Sequence, residues 1–431
     1  MSGLKVLIAG GGIAGPSLAY WLSRTGARVT IIERSPQRRS SGQQVDIRGI
    51  GVTLMKKMGI EAAVRAVTVR ESGTQMIDVN GKTKVFFPAA PSGTGKQSIT
   101  SEFEIMRGDL VDILYGLTEG KENVDHLYDT SIEKFTQDDE SDPNGKVHVT
   151  FNNGQTADYD LVVGADGTGS RTRRMMLGPD APDPRHSMGG YIAFYSIPTQ
   201  QGDWDRFTYC HLPGNNIGRI IATRKDCPEL TRVYMFTYGM DDAIDAAHKS
   251  GNLDEMKSAW ANAFSDGYWQ CPRFTDALLN SPEANDLYCA KLEEVRLPIG
   301  DWSRGRIVLL GDAAYSHSVD GYGITWALAG AYILAGEITS LYAKDKSSPS
   351  KAVIEGANNY EKTYRPIANA TEGGASWAYS FFFPKSKLGI YVLHAVAGIM
   401  AKFKLEQRAG REDVQAKWKL PEYAELEVAG N

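Results

Sequence analysis

Apolar positions along the chain fall into two rhythms. Short aliphatic runs, rich in β-branched residues, occur at 4–9, 27–33, 146–151, 156–163 and 306–310, each of a length suited to a strand. Between them, apolar residues return every three or four positions. Leu18, Ala19, Trp21 and Leu22 predict a helix with Pro16 near its start and Gly26 as its stop. Residues 52–58, closed by Gly59, predict a second, and Leu110, Ile113, Leu114 and Leu117 share one face of a third, opened by Met106 and Arg107. A long apolar helix is expected over 324–341. Strands alternating with helices predict an α/β fold.

The texture changes between 185 and 297. Aromatic strand pieces at 190–197, 206–212, 218–223 and 231–238, with a helix over 253–264, predict a separate β-rich layer. Residues 68–101 read as an insertion with β-like pieces at 75–79 and 83–87 and a loop at 88–95. Residues 136–145 are acidic, carry Pro-Asn-Gly and predict a hairpin tip. The expected organisation is one domain from 1–73, 100–184 and 298–345, a second sheet domain from 74–99 and 185–297, and a C-terminal helical segment, 346–431.

With 431 residues and 18 prolines the chain has room for two domains. Its net charge of −5, without a basic run, argues against nucleic acid as the main partner. Four cysteines without CxxC spacing read as free thiols of a reducing, cytoplasmic compartment, so no metal site is expected. The apolar run at 4–9 is too short for a signal peptide core. Residues 379–400 are aromatic and aliphatic but interrupted by Pro384, Lys385, Lys387 and His394; they predict a buried or interfacial helix, with membrane contact as the lesser alternative.

The chemistry begins where the first strand runs into Gly10, Gly12 and Gly15. Gly10 permits a sharp turn, Gly12 lets backbone N–H groups reach a pyrophosphate, and Gly15 lets the next helix pack on the strand. The second strand ends in Glu33, roughly 20 residues on, where an acid that accepts from ribose hydroxyls belongs, in FAD or in NAD. Two more glycine-acid turns end strands: Gly164-Ala-Asp-Gly-Thr-Gly-Ser-Arg171 and Gly311-Asp-Ala-Ala314.

In this order the three turns resemble the class A, single-component FAD-dependent monooxygenases of the aromatic hydroxylase type. Within that group the tetracycline-inactivating and fungal secondary-metabolite enzymes are most similar, sharing Gly311-Asp-Ala-Ala-Tyr315 and a tail like Ala327-Leu-Ala-Gly-Ala-Tyr-Ile-Leu-Ala-Gly-Glu337. The resemblance spans 4–340. It implies a Rossmann-like FAD-binding domain with an inserted β-sheet substrate domain. Gly10, Gly12, Ile13, Ala14, Gly15, Glu33 and Arg34 would hold the ADP half, and Arg107 the phosphates or ribityl chain. Asp166 would serve FAD and the nicotinamide donor. Gly311 and Asp312 would meet the ribityl hydroxyls, and the helix begun by Gly321, Gly323 and Ile324 would aim its positive end at the flavin's pyrimidine edge. Asp46 and Arg48 fall on the family's mobile loop, where Arg48 would steady flavin or substrate.

The same resemblance implies NADPH or NADH as a transient reductant, docked in a groove because no second GxGxxG is present. O₂ would form a flavin C4a-hydroperoxide whose distal oxygen passes to an electron-rich carbon. Hydroxylation is the leading outcome; epoxidation, oxidative rearrangement or Baeyer-Villiger insertion use the same cofactor, and a non-oxygenating cyclase or binding protein is the alternative of another class. The chain departs from the family after Ala314: a proline-rich segment is replaced by 315–323, with Val319 near the proline's place and one residue fewer. His317 in that segment can act as acid or base on a substrate, or hydrogen-bond within its loop. Tyr191, Phe194, Tyr195, Tyr209, His211, Tyr234 and Phe236 offer aromatic walls for a small aromatic or polycyclic substrate, and strand alternation predicts that some of them point away.

Overall fold

The computed structural model describes residues 3–38, 44–68, 71–89, 102–214, 216–225, 227–239, 241–317, 321–369, 376–403 and 419–427. A six-stranded sheet runs in the order Ser303–Arg304, Ile307–Leu309, Leu161–Gly164, Lys5–Ala9, Arg28–Ile32, Val124–Leu127. Every pairing is parallel except the first. Lys5–Ala9 lies inside the sheet, with Val6, Leu7 and Ile8 fully buried, which is why its run is apolar without alternation.

Two helices pack against each other beside this sheet. Ala14–Ser23 is buried along its whole length, and Trp21 meets Tyr332 edge-on at 5.0 Å. Gly323–Lys344 is long and apolar enough to cross a membrane, yet it is mostly buried here between Ala14–Ser23, Ile50–Lys57 and Pro349–Ala368. Its glycines serve that packing: a side chain at Gly330 would strike the Tyr315 hydroxyl, and one at Gly336 the Tyr423 ring.

The run at 156–163 is two strands, not one. Thr156–Tyr159 pairs antiparallel with Val147–Phe151 in a small three-stranded sheet, whereas Leu161–Gly164 joins the parallel sheet. Asp160 sits at the break, its carboxylate accepting from Lys5 N at 2.7 Å and pairing with Lys146. The alternating half, Thr156–Tyr159, and the fully buried half, Leu161–Gly164, follow each other with only Asp160 between them, so they read as one strand.

A seven-stranded sheet forms the second layer, in the order Tyr288–Val295, Arg185–Pro198, Leu230–Tyr238, Gly218–Lys225, Phe207–Leu212, Gly73–Ile77, Thr83–Pro88. The insertion thus supplies two of its strands, Gly73–Ile77 running parallel to Phe207–Leu212. Helices Asp242–Ser250, Leu253–Ala263 and Cys271–Asn280 cover one face, packing on Tyr195, Ile221, Val233 and Met235. Two of the three begin at side-chain caps, Asp241 and Asn252, each accepting from two backbone N–H groups. The segment 379–400 falls mostly in helices Ser376–Phe382 and Lys387–Lys402, the second packing Ala397 on Met76, Val85 and Phe87.

Candidate active site

The three glycine-acid turns meet at one edge of the parallel sheet. Gly10 has φ +122°, a conformation that favours glycine, and a Cβ there would strike the Ala165 carbonyl, so the first and second turns lie against each other. A Cβ at Gly15 would strike the Gly10 carbonyl. Gly311, at φ +64°, approaches from the other side: its Cβ position is 3.0 Å from Ala14 Cβ, beside Ile13 at the helix start. Arg107 leans over the glycine turn, with Nη2 3.4 Å from where a Gly12 Cβ would sit.

Glu33 braces this turn. One carboxylate oxygen accepts from Gly11 N at 3.0 Å and the other from Ser35 N at 2.9 Å. Arg34, next along, is exposed. Tyr115 closes the side of the turn, its hydroxyl against Gly11 and its ring under the Arg38 guanidinium at 4.5 Å.

Asp166 has a scaffold task. Its carboxylate accepts from Ser170 Oγ, Arg171 N and Thr172 N, which caps helix Arg171–Leu177. A residue that the sequence reading overlooked then ties the second turn to the third. Arg173, 1 % exposed, donates to Thr168 O at 2.6 Å and to Ala313 O at 2.8 Å. Burial lowers its pKa from the usual arginine value. The signal available was its place in the run Arg171-Thr-Arg-Arg174 directly after a glycine turn.

Arg48 and the start of the long apolar helix are joined directly. Thr325 Oγ1 accepts from Arg48 N at 3.2 Å and donates to Arg48 O at 2.9 Å, while the guanidinium pairs with Asp46 at 2.6 Å. Gly323–Lys344 and Ala14–Ser23 both begin without a side-chain cap, leaving first-turn N–H groups to other partners. Asp312 is exposed, as is Gly321, and Gly323 and Ile324 are half-buried. His317 is 7 % exposed and bridges in antiparallel fashion to Glu294; neither ring nitrogen has a hydrogen-bond partner among the described residues. Val319 lies outside the described residues.

The chain matches the family model for an FAD binding domain over residues 3–278. It is 42% identical over 430 residues to the flavin-dependent monooxygenase eupH of Phoma sp, covering 98% of each chain, and 34% identical to the FAD-dependent monooxygenase asL4 of Sarocladium schorii, covering 99% of each. The chain belongs to the FAD-dependent monooxygenases. Among solved structures, the tetracycline destructase Tet(55) superposes with a TM-score of 0.74 at 27% identity, over 98% of this chain and 100% of that one.

This monooxygenase has the features its cofactor FAD needs. Around the converged turns, added side chains at Gly167, Gly169, Gly321 and Gly323 would meet nothing within 4 Å, so bare backbone borders open space. Uncapped helix starts and a guanidinium over the glycine turn border that space, and this donor set fits an anionic dinucleotide.

Opposite the helix-covered face, the seven-stranded sheet presents three cross-strand rows. Phe194, Tyr234, Ala222 and Tyr209 are in register as the middle row. Phe194 meets Tyr234 edge-on at 5.2 Å, and Tyr234 stacks on Phe236 at 6.5 Å. Burial pushes the Tyr209 phenol up to about 12. To one side run Ile192, Phe236, Ile220 and His211; to the other, Ser196, Arg232, Arg224 and, beside Arg224, Phe207.

Tyr191 is not part of this face. Alternation turns it to the helix side, where its hydroxyl donates to Asp245 and its ring meets His248 at 5.7 Å. Tyr195 points the same way and donates to Phe274 O at 2.9 Å. His211 is on the aromatic side but closed off at 2 % exposure, bonded through Nε2 to Phe382 O at 3.0 Å. Burial and the nearby His394 push its pKa down to about 4, so it is neutral.

The outer row carries charges that the sequence reading did not flag. Arg224 pairs with Glu104, and with Glu71 at 2.8 Å, in a largely buried cluster that Asp46 adjoins. Burial, Asp46 and Glu71 hold the Glu104 carboxyl up at about 7 against the pull of Arg224. An arginine at an inward position of the alternating strand Gly218–Lys225 was the available clue.

Proposed function

We propose that this enzyme hydroxylates an electron-rich aromatic or polycyclic secondary metabolite lying on the Phe194 and Tyr234 row beside Phe236, with NADPH or NADH as transient reductant. The observation that carries the reading is that row: a continuous aromatic surface, flanked by Arg224 and Glu104, on the strands tied to the edge where the glycine turns converge. FAD, when bound, supplies electron storage and oxygen activation.

The chain's own groups divide the remaining work. Backbone N–H groups at Gly12 to Gly15 and the Arg107 guanidinium would bind the pyrophosphate, and Glu33 would accept from the adenosine ribose. Asp312 would accept from the ribityl chain, and the uncapped start of Gly323–Lys344 would offer its positive end to the flavin's pyrimidine edge. Arg48, held by Asp46 and Thr325, would steady the flavin ring or the substrate. Phe194, Tyr234 and Phe236 orient a planar substrate and exclude water. His317, whose ring nitrogens have no partner among the described residues, takes or returns the proton of a substrate hydroxyl.

Incubating the FAD-loaded enzyme with NADPH or NADH, ¹⁸O₂ and candidate polyketides tests this. Substrate-stimulated nicotinamide oxidation and a product carrying one ¹⁸O on an aromatic carbon are expected. Rearranged product without label in any tested scaffold, or no nicotinamide oxidation, would contradict it.

A further inference from the structure

The C-terminal helix Lys387–Lys402 has two unlike sides. Ile390, Leu393 and Ala397 are buried toward the protein. The other side exposes Leu388, Tyr391, Val392, Val396, Ile399 and Phe403, a stripe at helical spacing; Leu388 is 73% and Tyr391 72% exposed. More than half of the exposed large apolar side chains among the described residues fall between 381 and 403. Isolated exposed apolar residues are ordinary, but a contiguous stripe marks a contact surface.

Charge selects the occupant. Lys385, Lys387 and Lys402 frame the stripe and are exposed, and no Asp or Glu occurs from 376 to 403, in a chain whose net charge is −5. A cationic rim around an apolar, aromatic stripe complements an anionic phospholipid surface, whereas a second copy of this chain would bring the same cations into opposition. With 16 residues the helix is about 24 Å long, short of the roughly 20 residues that span a bilayer. Its inner side stays packed on Met76, Val85 and Phe87.

We propose that helix Lys387–Lys402 is a membrane-surface docking element that lies flat on anionic lipid, with Leu388, Val392, Val396 and Ile399 in the acyl boundary and the lysines at the headgroups. Flotation of the full-length, FAD-loaded protein with vesicles tests it. The protein should float with phosphatidylcholine vesicles containing phosphatidylserine, less with phosphatidylcholine alone, and less as salt is raised. Lys385→Gln and Lys387→Gln should each lower partitioning onto the anionic vesicles about fivefold. The triple variant Leu388→Ser, Val392→Ser, Ile399→Ser should abolish flotation while retaining bound FAD. No flotation of the wild type with anionic vesicles, or equal flotation of wild type and triple variant, would overturn the proposal. So would sedimentation showing a wild-type dimer that the triple substitution dissolves, since the occupant would then be a second copy.

Discussion

Arg224 and Glu104 form an ion pair in which both side chains are about nine-tenths buried, joining the seven-stranded sheet to the short strand that leads directly into the Arg107 helix. The pair therefore couples the aromatic face to the helix whose Arg107 leans over the first glycine turn. Glu71 and Asp46 crowd the same spot, so three carboxylates face Arg224 and Arg48.

This crowding gives stability a pH slope. The Glu104 carboxyl, raised from 4.5 to about 7, keeps its proton in the folded protein over a range where the unfolded chain loses it. Its contribution is complete below 4.5 and is lost as pH rises toward about 7. Glu104→Gln should flatten the fall of Tm across that window. A slope identical to wild type would place the titrating group elsewhere.

Removing the arginine leaves buried carboxylates without their partner. Arg224→Met should destabilise by about 3–5 kcal/mol in denaturant unfolding. Adding Glu104→Gln and Glu71→Gln to it should recover most of that loss, because the uncompensated charge is what costs.

Two glycines of the first turn, Gly10 and Gly12, should behave differently on gaining a methyl group. At Gly10 the Cβ strikes the Ala165 carbonyl and φ is +122°, so Gly10→Ala should lower Tm sharply. At Gly12 the closest atom is Arg107 Nη2 at 3.4 Å, the tip of a flexible side chain. Gly12→Ala should fold with near wild-type Tm but hold FAD at least about tenfold more weakly, since a methyl there separates the backbone from the pyrophosphate. Absorbance of bound flavin and thermal unfolding distinguish the two.

The proposed substrate face predicts a matched pair. Tyr234→Ala should raise KM about tenfold or more, by loss of a buried aromatic contact. Tyr191→Phe, on the opposite face, should leave KM unchanged and cost only stability through its bond to Asp245. Equal effects on KM would mean that the rows are misassigned.

Local patterns carried much of this fold. Strands buried from their second residue on, such as Lys5–Ala9, announce themselves as aliphatic runs, and in the first glycine turn Gly10 and Gly15 sit where a side chain would strike backbone. Short amphipathic pieces were harder. Val124–Leu127 alternates burial over four residues, and Cys271–Asn280 and Asp242–Ser250 bury only three and two residues each, too little to stand out in a sequence. Long-range bonds left the least trace: Arg173 reads as one of three arginines near a turn, yet its partners Thr168 and Ala313 lie far apart in the chain. Likewise Tyr191 and Phe194 look alike in sequence, and only the register shows that they face opposite ways.

A structure of the FAD-loaded protein tests the central claim most directly. Pyrophosphate oxygens are expected within hydrogen-bond distance of the Gly12 backbone and the Arg107 guanidinium, with the isoalloxazine between the start of Gly323–Lys344, His317 and the Phe194 and Tyr234 row. An isoalloxazine placed away from that row, or a pyrophosphate without contact to Arg107 and the glycine turn, would contradict it.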